Sequence, residues 1–136
     1  MVVCDRAIRD EGVSHHYLAP DKYAGASPAL TARLARALEA GGHAHTVGAS
    51  WTTDAPYRET RAEVLRYQGE GVACVEMEAA ALFAVAQYRR VEMGALFTIT
   101  DSLASLEWRP EFHSERTQQG LETLYRTALA CLLAPD

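Results

Sequence analysis

Apolar and polar positions alternate along this chain in a way that predicts short strands separated by amphipathic helices. Residues 2–9 form a short apolar run closing on charge, which predicts a strand. Residues 10–26 hold Gly12, Pro20 and Gly25 among polar groups and read as a loop. Ser27-Pro28 then offers an N-cap followed by proline at the first helical position. Leu30, Leu34, Ala37 and Leu38 line one helical face, and Gly41-Gly42 stops it. Residues 43–51 predict a second strand, with Val47 in its middle and Gly48 as a candidate bulge. A loop over 52–56 and a helix over 58–69 follow. Val72-Ala73-Cys74-Val75 is a wholly apolar run of the kind buried strands have, and residues 77–90 form an Ala-rich helix. Residues 93–100 predict another buried strand and residues 101–110 a loop. From about Phe112 a long helix turns Leu121, Leu124, Ala128 and Leu132 to one side.

Strands alternating with helices define an α/β protein whose small, largely parallel sheet is covered on both faces. No internal repeat or linker interrupts it, so residues 1–136 are expected to form a single domain. Hydrophobic residues at 49% and charged ones at 23% exclude disordered and collagen-like chains. A net charge of -5 without a basic run argues against nucleic acid or an anionic membrane as partner. The longest apolar stretch, residues 79–86, is far below the roughly 20 residues that span a bilayer. The first residues carry no signal-like apolar core, so a cytoplasmic protein is expected. Cys4, Cys74 and Cys131 are odd in number and lack CxxC spacing, which fits reduced thiols.

Ligands of open α/β sheets gather at the carboxyl ends of strands. Three such ends carry polar residues: Arg9-Asp10-Glu11-Gly12, Glu76-Met77-Glu78 and Asp101-Ser102. A carboxylate in the first turn of a helix is stabilised by the macrodipole, which is reason enough for a Glu there. Glu76 and Glu78, however, lie between apolar segments, and a carboxylate so placed needs a partner. A vicinal diol would suit, because one carboxylate accepts two charge-assisted hydrogen bonds. Asp101 suits either an Asx-turn or a general acid, and Arg116 is the cation able to orient it. Residues 51–60 combine aromatics, hydroxyls and charges that suit a flat ligand. Adjacent His15 and His16 point apart, and no third ligand is spaced to make a zinc site with them. No GxxxxGK, GxGxxG or GxSxG motif occurs.

Taken together, Ala7-Ile8-Arg9-Asp10-Glu11-Gly12, Ser14-His15-His16-Tyr17-Leu18, Trp51 to Thr60, Val75-Glu76-Met77-Glu78-Ala79-Ala80-Ala81-Leu82 and Thr100-Asp101-Ser102 resemble the nucleoside phosphorylases. The likeness is nearest to uridine phosphorylase-like members of the purine nucleoside/uridine phosphorylase superfamily, and it runs the length of the chain in order. Val13-Ser14 stands where the family pattern has Thr-Ser. The resemblance implies a three-layer αβα sandwich of the phosphorylase/hydrolase-like type, truncated, and phosphorolysis of a nucleoside to base and ribose 1-phosphate. It implies that Glu78 binds the 2′- and 3′-hydroxyls, with Met77 packed on the sugar and Glu76 beside them. Asp101 would help protonate the departing base with Arg116 as partner, while Tyr57 and Arg58 fall in the base-pocket stretch. No cofactor or metal is implied; phosphate is the co-substrate.

Family members are about twice as long, and their amino-terminal half supplies the phosphate site, so this chain resembles the carboxyl-terminal half only. The expectation is a half-site for sugar and base, active with a separate amino-terminal chain or inactive. The alternatives are a nucleoside-binding remnant or subunit and a nucleosidase that uses water. Half a parallel sheet also exposes an apolar edge. A homo-oligomer, or a missing amino-terminal half chain, is therefore expected to cover the edge of the strand at residues 2–9.

Overall fold

The sheet is built on β1 (Val2–Asp10), a nine-residue strand with buried residues on both faces. In the computed structural model, which describes residues 1–102 and 105–133, β1 pairs along one edge with β3 (Thr46–Thr53) in parallel. Along its other edge it pairs antiparallel with β2 (Tyr23–Gly25) and β5 (Ala95–Phe97). β4 (Cys74–Glu76) extends the sheet parallel to β3 and has no second strand neighbour among the described residues. The pairing is mostly parallel, as the sequence predicts.

A register shift between Cys4 and Arg6 leaves Asp5 as an extra residue in β1. Cys4 and Ala7 consequently face the same side, where Ala79, Ala80 and Phe83 of α3 (Ala79–Arg89) cover them. Val3 and Ile8 face the other side. Val3 packs with Leu34 and Leu38 of α1 (Pro28–Ala40) and Cys131 of α4 (Glu115–Leu133). Ile8 packs with Trp51 and with Tyr67 of α2 (Arg61–Gly69), the two rings lying 4.8 Å apart. The result is three layers, with α3 alone on one face. No helix among the described residues is long and apolar enough to cross a membrane.

Local chemistry explains several boundaries. Ser27 occupies the N-cap of α1 with Pro28 behind it, but its hydroxyl accepts from the Met93 amide at 2.8 Å and makes no cap bond. α2 begins only at Arg61, because Thr60 and Glu63 form a reciprocal capping box there. Residues 56–58 form a separate 3-10 turn. Gly42 at φ +70° provides the left-handed exit from α1.

Five expectations need correction. β1 has partners on both edges, so it is not the open edge; β2 and β5 fill that side. The expected strand over residues 93–100 shortens to Ala95–Phe97, runs antiparallel to β1 and is only half-buried. The apolar run at residues 72–75 is not fully buried: as the outermost strand β4 leaves Val75 exposed. On α4 the buried stripe is Thr117, Leu124, Thr127 and Cys131, while Leu121 and Leu132 face outward. Of the loop expected over residues 101–110, Leu103 and Ala104 lie outside the described residues, and Asp101–Ser102 pairs antiparallel with Arg109–Pro110.

α4 closes on the segment after β5 through Gly120. A Cβ at residue 120 would collide with the Thr98 hydroxyl and come within 3.0 Å of the Thr98 Cβ. Thr98 is β-branched and stiff at χ1, so it yields little. Helix propensity alone would make Gly120→Ala stabilising by about 1 kcal/mol, whereas overpacking costs roughly 1–3 kcal/mol. We therefore expect Gly120→Ala to lower the urea midpoint; an increase would show that α4 does not sit against Thr98.

Candidate functional site

The carboxyl ends of β1, β3 and β4 meet at one end of the sheet, where α3 starts. Glu76 is the last residue of β4, directly across from Thr52 of β3. Its Oε1 accepts from Ser50 Oγ at 2.9 Å and from Thr52 Oγ1, and its Oε2 accepts from the backbone N–H groups of Glu78 and Ala79, each at 2.7 Å. Thr52 Oγ1 also accepts from the Ala80 amide at 3.0 Å, and Ser50 Oγ lies 3.3 Å from Cys4 Sγ. Ser50, Thr52 and Cys4 are fully buried. Burial pushes the thiol of Cys74, the first residue of β4 and opposite Ser50, up to about 12, with the charges of Cys4 and Glu76 adding to the effect. These thiols are inert core groups at neutral pH.

Glu78 is the N-cap residue of α3, yet its side chain makes no cap bond. The carboxylate is exposed and has no hydrogen bond or ion pair among the described residues. Met77 beside it is 46% exposed, so a thioether and a free carboxylate stand together at the start of α3.

A second polar cluster follows β1. The Arg9 guanidinium is buried and donates to Ser14 Oγ at 2.9 Å and to the carbonyls of Ala19 at 2.7 Å and Leu18 at 3.3 Å. Its Nη2 lies 3.4 Å from His15 Nδ1, and His15 Nε2 lies 3.2 Å from the Arg9 carbonyl. Glu11 accepts from the backbone N–H groups of Val13 at 2.6 Å and Ser14 at 3.0 Å. Burial by itself would raise the Glu11 carboxyl, but the bonds from Ser14 and Val13 and the nearby His15 together outweigh it and hold it below its ordinary value.

The stretch at residues 51–60 borders a 150 Å³ cavity lined by Asp10, Trp51, Thr53, Asp54, Arg58 and Glu59, among others. Trp51 Nε1 donates to Asp10 at 2.9 Å and the Gly12 amide donates to Asp54 at 2.9 Å, which ties this loop to the end of β1. Burial, then the charges of Asp101 and Glu63, push the Glu59 carboxyl up. Arg58 thus borders a cavity, whereas Tyr57 projects wholly into solvent. Asp101 accepts from Trp108 Nε1 at 2.9 Å and from Thr100 Oγ1 at 3.1 Å. Arg116 is exposed in the first turn of α4, and no contact among the described residues joins it to Asp101. Nor does such a contact join Asp101 to Glu78.

A larger cavity of 310 Å³ lies beneath the far end of α3, between Gly25–Pro28, Phe83, Gln87 and Met93. Its polar groups satisfy one another, Gln87 Nε2 bonding the Gly25 carbonyl and Ser27 bonding Met93. It has no convergent polar groups left for a ligand. Among the described residues no group of three or more His, Cys, Asp or Glu is arranged to hold a metal.

Sequence reasoning did not single out Ser50, one hydroxyl that holds Glu76, or Trp108, the donor to Asp101, and it assigned Thr52, the other, only to a ligand loop over residues 51–60. The signal for Ser50 and Thr52 is legible in retrospect: two hydroxyl residues at i and i+2 share one face of a strand.

The family model described as the phosphorylase superfamily matches residues 1–133. Among solved structures, the P knowlesi homolog of P falciparum PNP is 26% identical with a TM-score of 0.72, over 94% of this chain and 54% of its own. AMP nucleosidase from Bacteroides thetaiotaomicron is 25% identical with a TM-score of 0.70, over 96% of this chain and 51% of its own. Purine nucleoside phosphorylase from Toxoplasma gondii, solved with immucillin-H, shares the fold at a TM-score of 0.79 and 17% identity, over 96% and 53%. The chain thus spans about half the length of these structures. No curated protein sequence matches it.

The Glu11 turn makes a prediction for pH. A carboxyl held below its ordinary value of 4.5 in the fold stabilises it at higher pH, and that contribution is lost as pH falls through the lowered value. Glu11→Gln should therefore be less stable than wild type at neutral pH, with the gap closing on acidification. Urea midpoints from about pH 3 to 7 measure this, and a gap that widens towards acid would contradict it.

Proposed function

The chain belongs to the phosphorylase superfamily, and from that premise we propose that it acts on the N-glycosidic bond of a nucleoside, with Glu78 holding the ribose. The observation that carries this reading is the Glu78 carboxylate: exposed, unbonded among the described residues, and set at the first turn of α3. An anionic carboxylate accepts hydrogen bonds from both hydroxyls of a vicinal diol. It also favours the positive charge that develops on the sugar ring as the bond to the base lengthens. Met77 covers the sugar. By the family resemblance Asp101 delivers the proton that the departing base takes up and Arg58 borders the base, while Arg116 and Tyr57, which face solvent in this chain, would join them only in the assembled site. These assignments rest on the family resemblance.

The reaction we propose is phosphorolysis. A phosphate oxygen forms a bond to the anomeric carbon, the carbon–nitrogen bond breaks, and its electron pair leaves with the base. Residues that bind phosphate are assigned to an amino-terminal half, as a separate chain or further sequence, or to a second copy of this chain, and we place the assembly in the cytoplasm. Hydrolysis by water is the second reading, favoured by the similarity to an AMP nucleosidase. The structures similar in sequence favour purines, while the residue-level resemblance favours uridine, so both belong in the test.

The test is base release from inosine and uridine, with and without phosphate, beside Glu78→Ala. Phosphate-dependent release that falls by about 10²-fold in Glu78→Ala is the expected result. Release of equal rate without phosphate would select the nucleosidase. No release, together with no calorimetric binding of either nucleoside, would overturn the reading.

A further inference from the structure

We propose that Glu76 is a positioning residue and not a sugar ligand: together with Thr52 it takes over the capping of α3, and this leaves the Glu78 carboxylate free for the substrate. The inference rests on the reading of Glu78 as the group that binds the diol. An ionised carboxylate offers about four lone-pair positions. In Glu76 four protein donors occupy them: Ser50 Oγ and Thr52 Oγ1 on one oxygen, the Glu78 and Ala79 amides on the other. No position is left for a sugar hydroxyl.

The first turn of a helix leaves amides without partners, and a side chain at the N-cap ordinarily accepts from one of them. Glu78 holds that position but does not perform that task. The amides of Glu78 and Ala79 go to Glu76, two and three residues back, and the amide of Ala80 goes to Thr52 across the sheet. Thr52 is therefore used twice, donating to Glu76 and accepting from Ala80, at a site with no exposure to solvent. Ser50 adds a second tether from the same face of β3. The Glu78 backbone is fixed by its own N–H bond to a carboxylate that β3 holds in place, while its side chain remains unbound.

Substitution at Thr52 and Glu76 separates this role from direct contact. Thr52→Val keeps the shape and removes both hydrogen bonds. It should speed amide exchange at Glu78, Ala79 and Ala80 by about tenfold and weaken nucleoside binding by about tenfold, as loss of buried charge-assisted bonds does. Exchange at Phe83 and Ala84, deeper in α3, should stay as in wild type. Thr52→Ser, which restores the hydroxyl, should restore both readouts. Glu76→Gln can turn its carbonyl to the two amides and its NH2 to the two hydroxyls, so it should bind within a few-fold of wild type.

Amide exchange by NMR and calorimetry with inosine and uridine on the full chain read these outcomes. Unchanged exchange at residues 78–80 in Thr52→Val would overturn the proposal. So would a Glu76→Gln protein with wild-type exchange and no nucleoside binding, the mark of a direct ligand. If Thr52→Val does not fold, Glu76→Ala removes the bonds to Ser50, Thr52, Glu78 and Ala79 while leaving the Ala80 amide on Thr52, and answers by faster exchange at Glu78 and Ala79. Wild-type protein that binds neither nucleoside would remove the sugar reading of Glu78, while exchange would still decide the anchor.

Discussion

One carboxylate fastens β3, β4 and α3 together. Glu76 ends a three-residue strand whose only strand neighbour among the described residues is β3, so few ladder bonds hold β4 in register. The side-chain bonds to Ser50 and Thr52 add a charged link across that short ladder, and the bonds to Glu78 and Ala79 extend it into the helix. A carboxylate in such a position is costly unless its lone pairs are used, and here they are. The same arrangement fixes the electrostatics of the site. Because the leading amides of α3 are already accepted by Glu76 and Thr52, the positive end of the helix is compensated from within the protein. It provides no seat for a phosphate anion, which is consistent with assigning phosphate binding to residues elsewhere.

The segment after β1 is organised in a comparable way, by a buried cation in place of an anion. Arg9 gathers the Ser14 hydroxyl, two carbonyls and an imidazole around its guanidinium, while Glu11 collects two amides of the same turn. Each charge is satisfied mainly by local dipoles. The loop from Gly12 to Pro20 thereby keeps a defined shape, and it rests on α3 through its 3-10 turn, Leu18 and the Tyr17–Tyr88 ring pair. Both ends of the candidate site are thus held by charged side chains whose partners are hydroxyls and peptide groups.

Local signals carried far in this sequence. Ser27-Pro28 and Gly41-Gly42 bracket α1, and the Ala-rich run from residue 79 forms α3, because capping and helix propensity are properties of neighbouring residues. β1 was equally legible from its apolar run. What the sequence does not display is which strand lies beside which. The segment that enters β5 is fixed by bonds between Met93 and Ser27, residues far apart in the chain, and β5 itself pairs with the start of β1. The stripe on α4 misleads for a related reason: Thr117, Thr127 and Cys131 are weakly hydrophobic, yet they are buried, Cys131 against Val3, Leu34 and Leu38 and Thr117 over Glu111. In the site, Glu78 and Met77 stand out by their place after a strand. The hydroxyls that serve Glu76 are ordinary strand residues until the register sets Thr52 opposite Glu76.

The extra residue at Asp5 also sets the reading frame of β1. Side chains on a strand alternate with a period of two, so one inserted residue swaps the faces of everything after it. Upstream of Asp5 the phase is set by Val3 and Cys4, and downstream by Ala7, Ile8 and Arg9. Were position 5 deleted, Ala7 and Arg9 would turn towards α2, and Ile8 would turn towards the alanines of α3. The bulge is therefore what lets a single strand serve two incompatible half-patterns, an apolar foundation at one end and a buried cation beside the candidate site at the other.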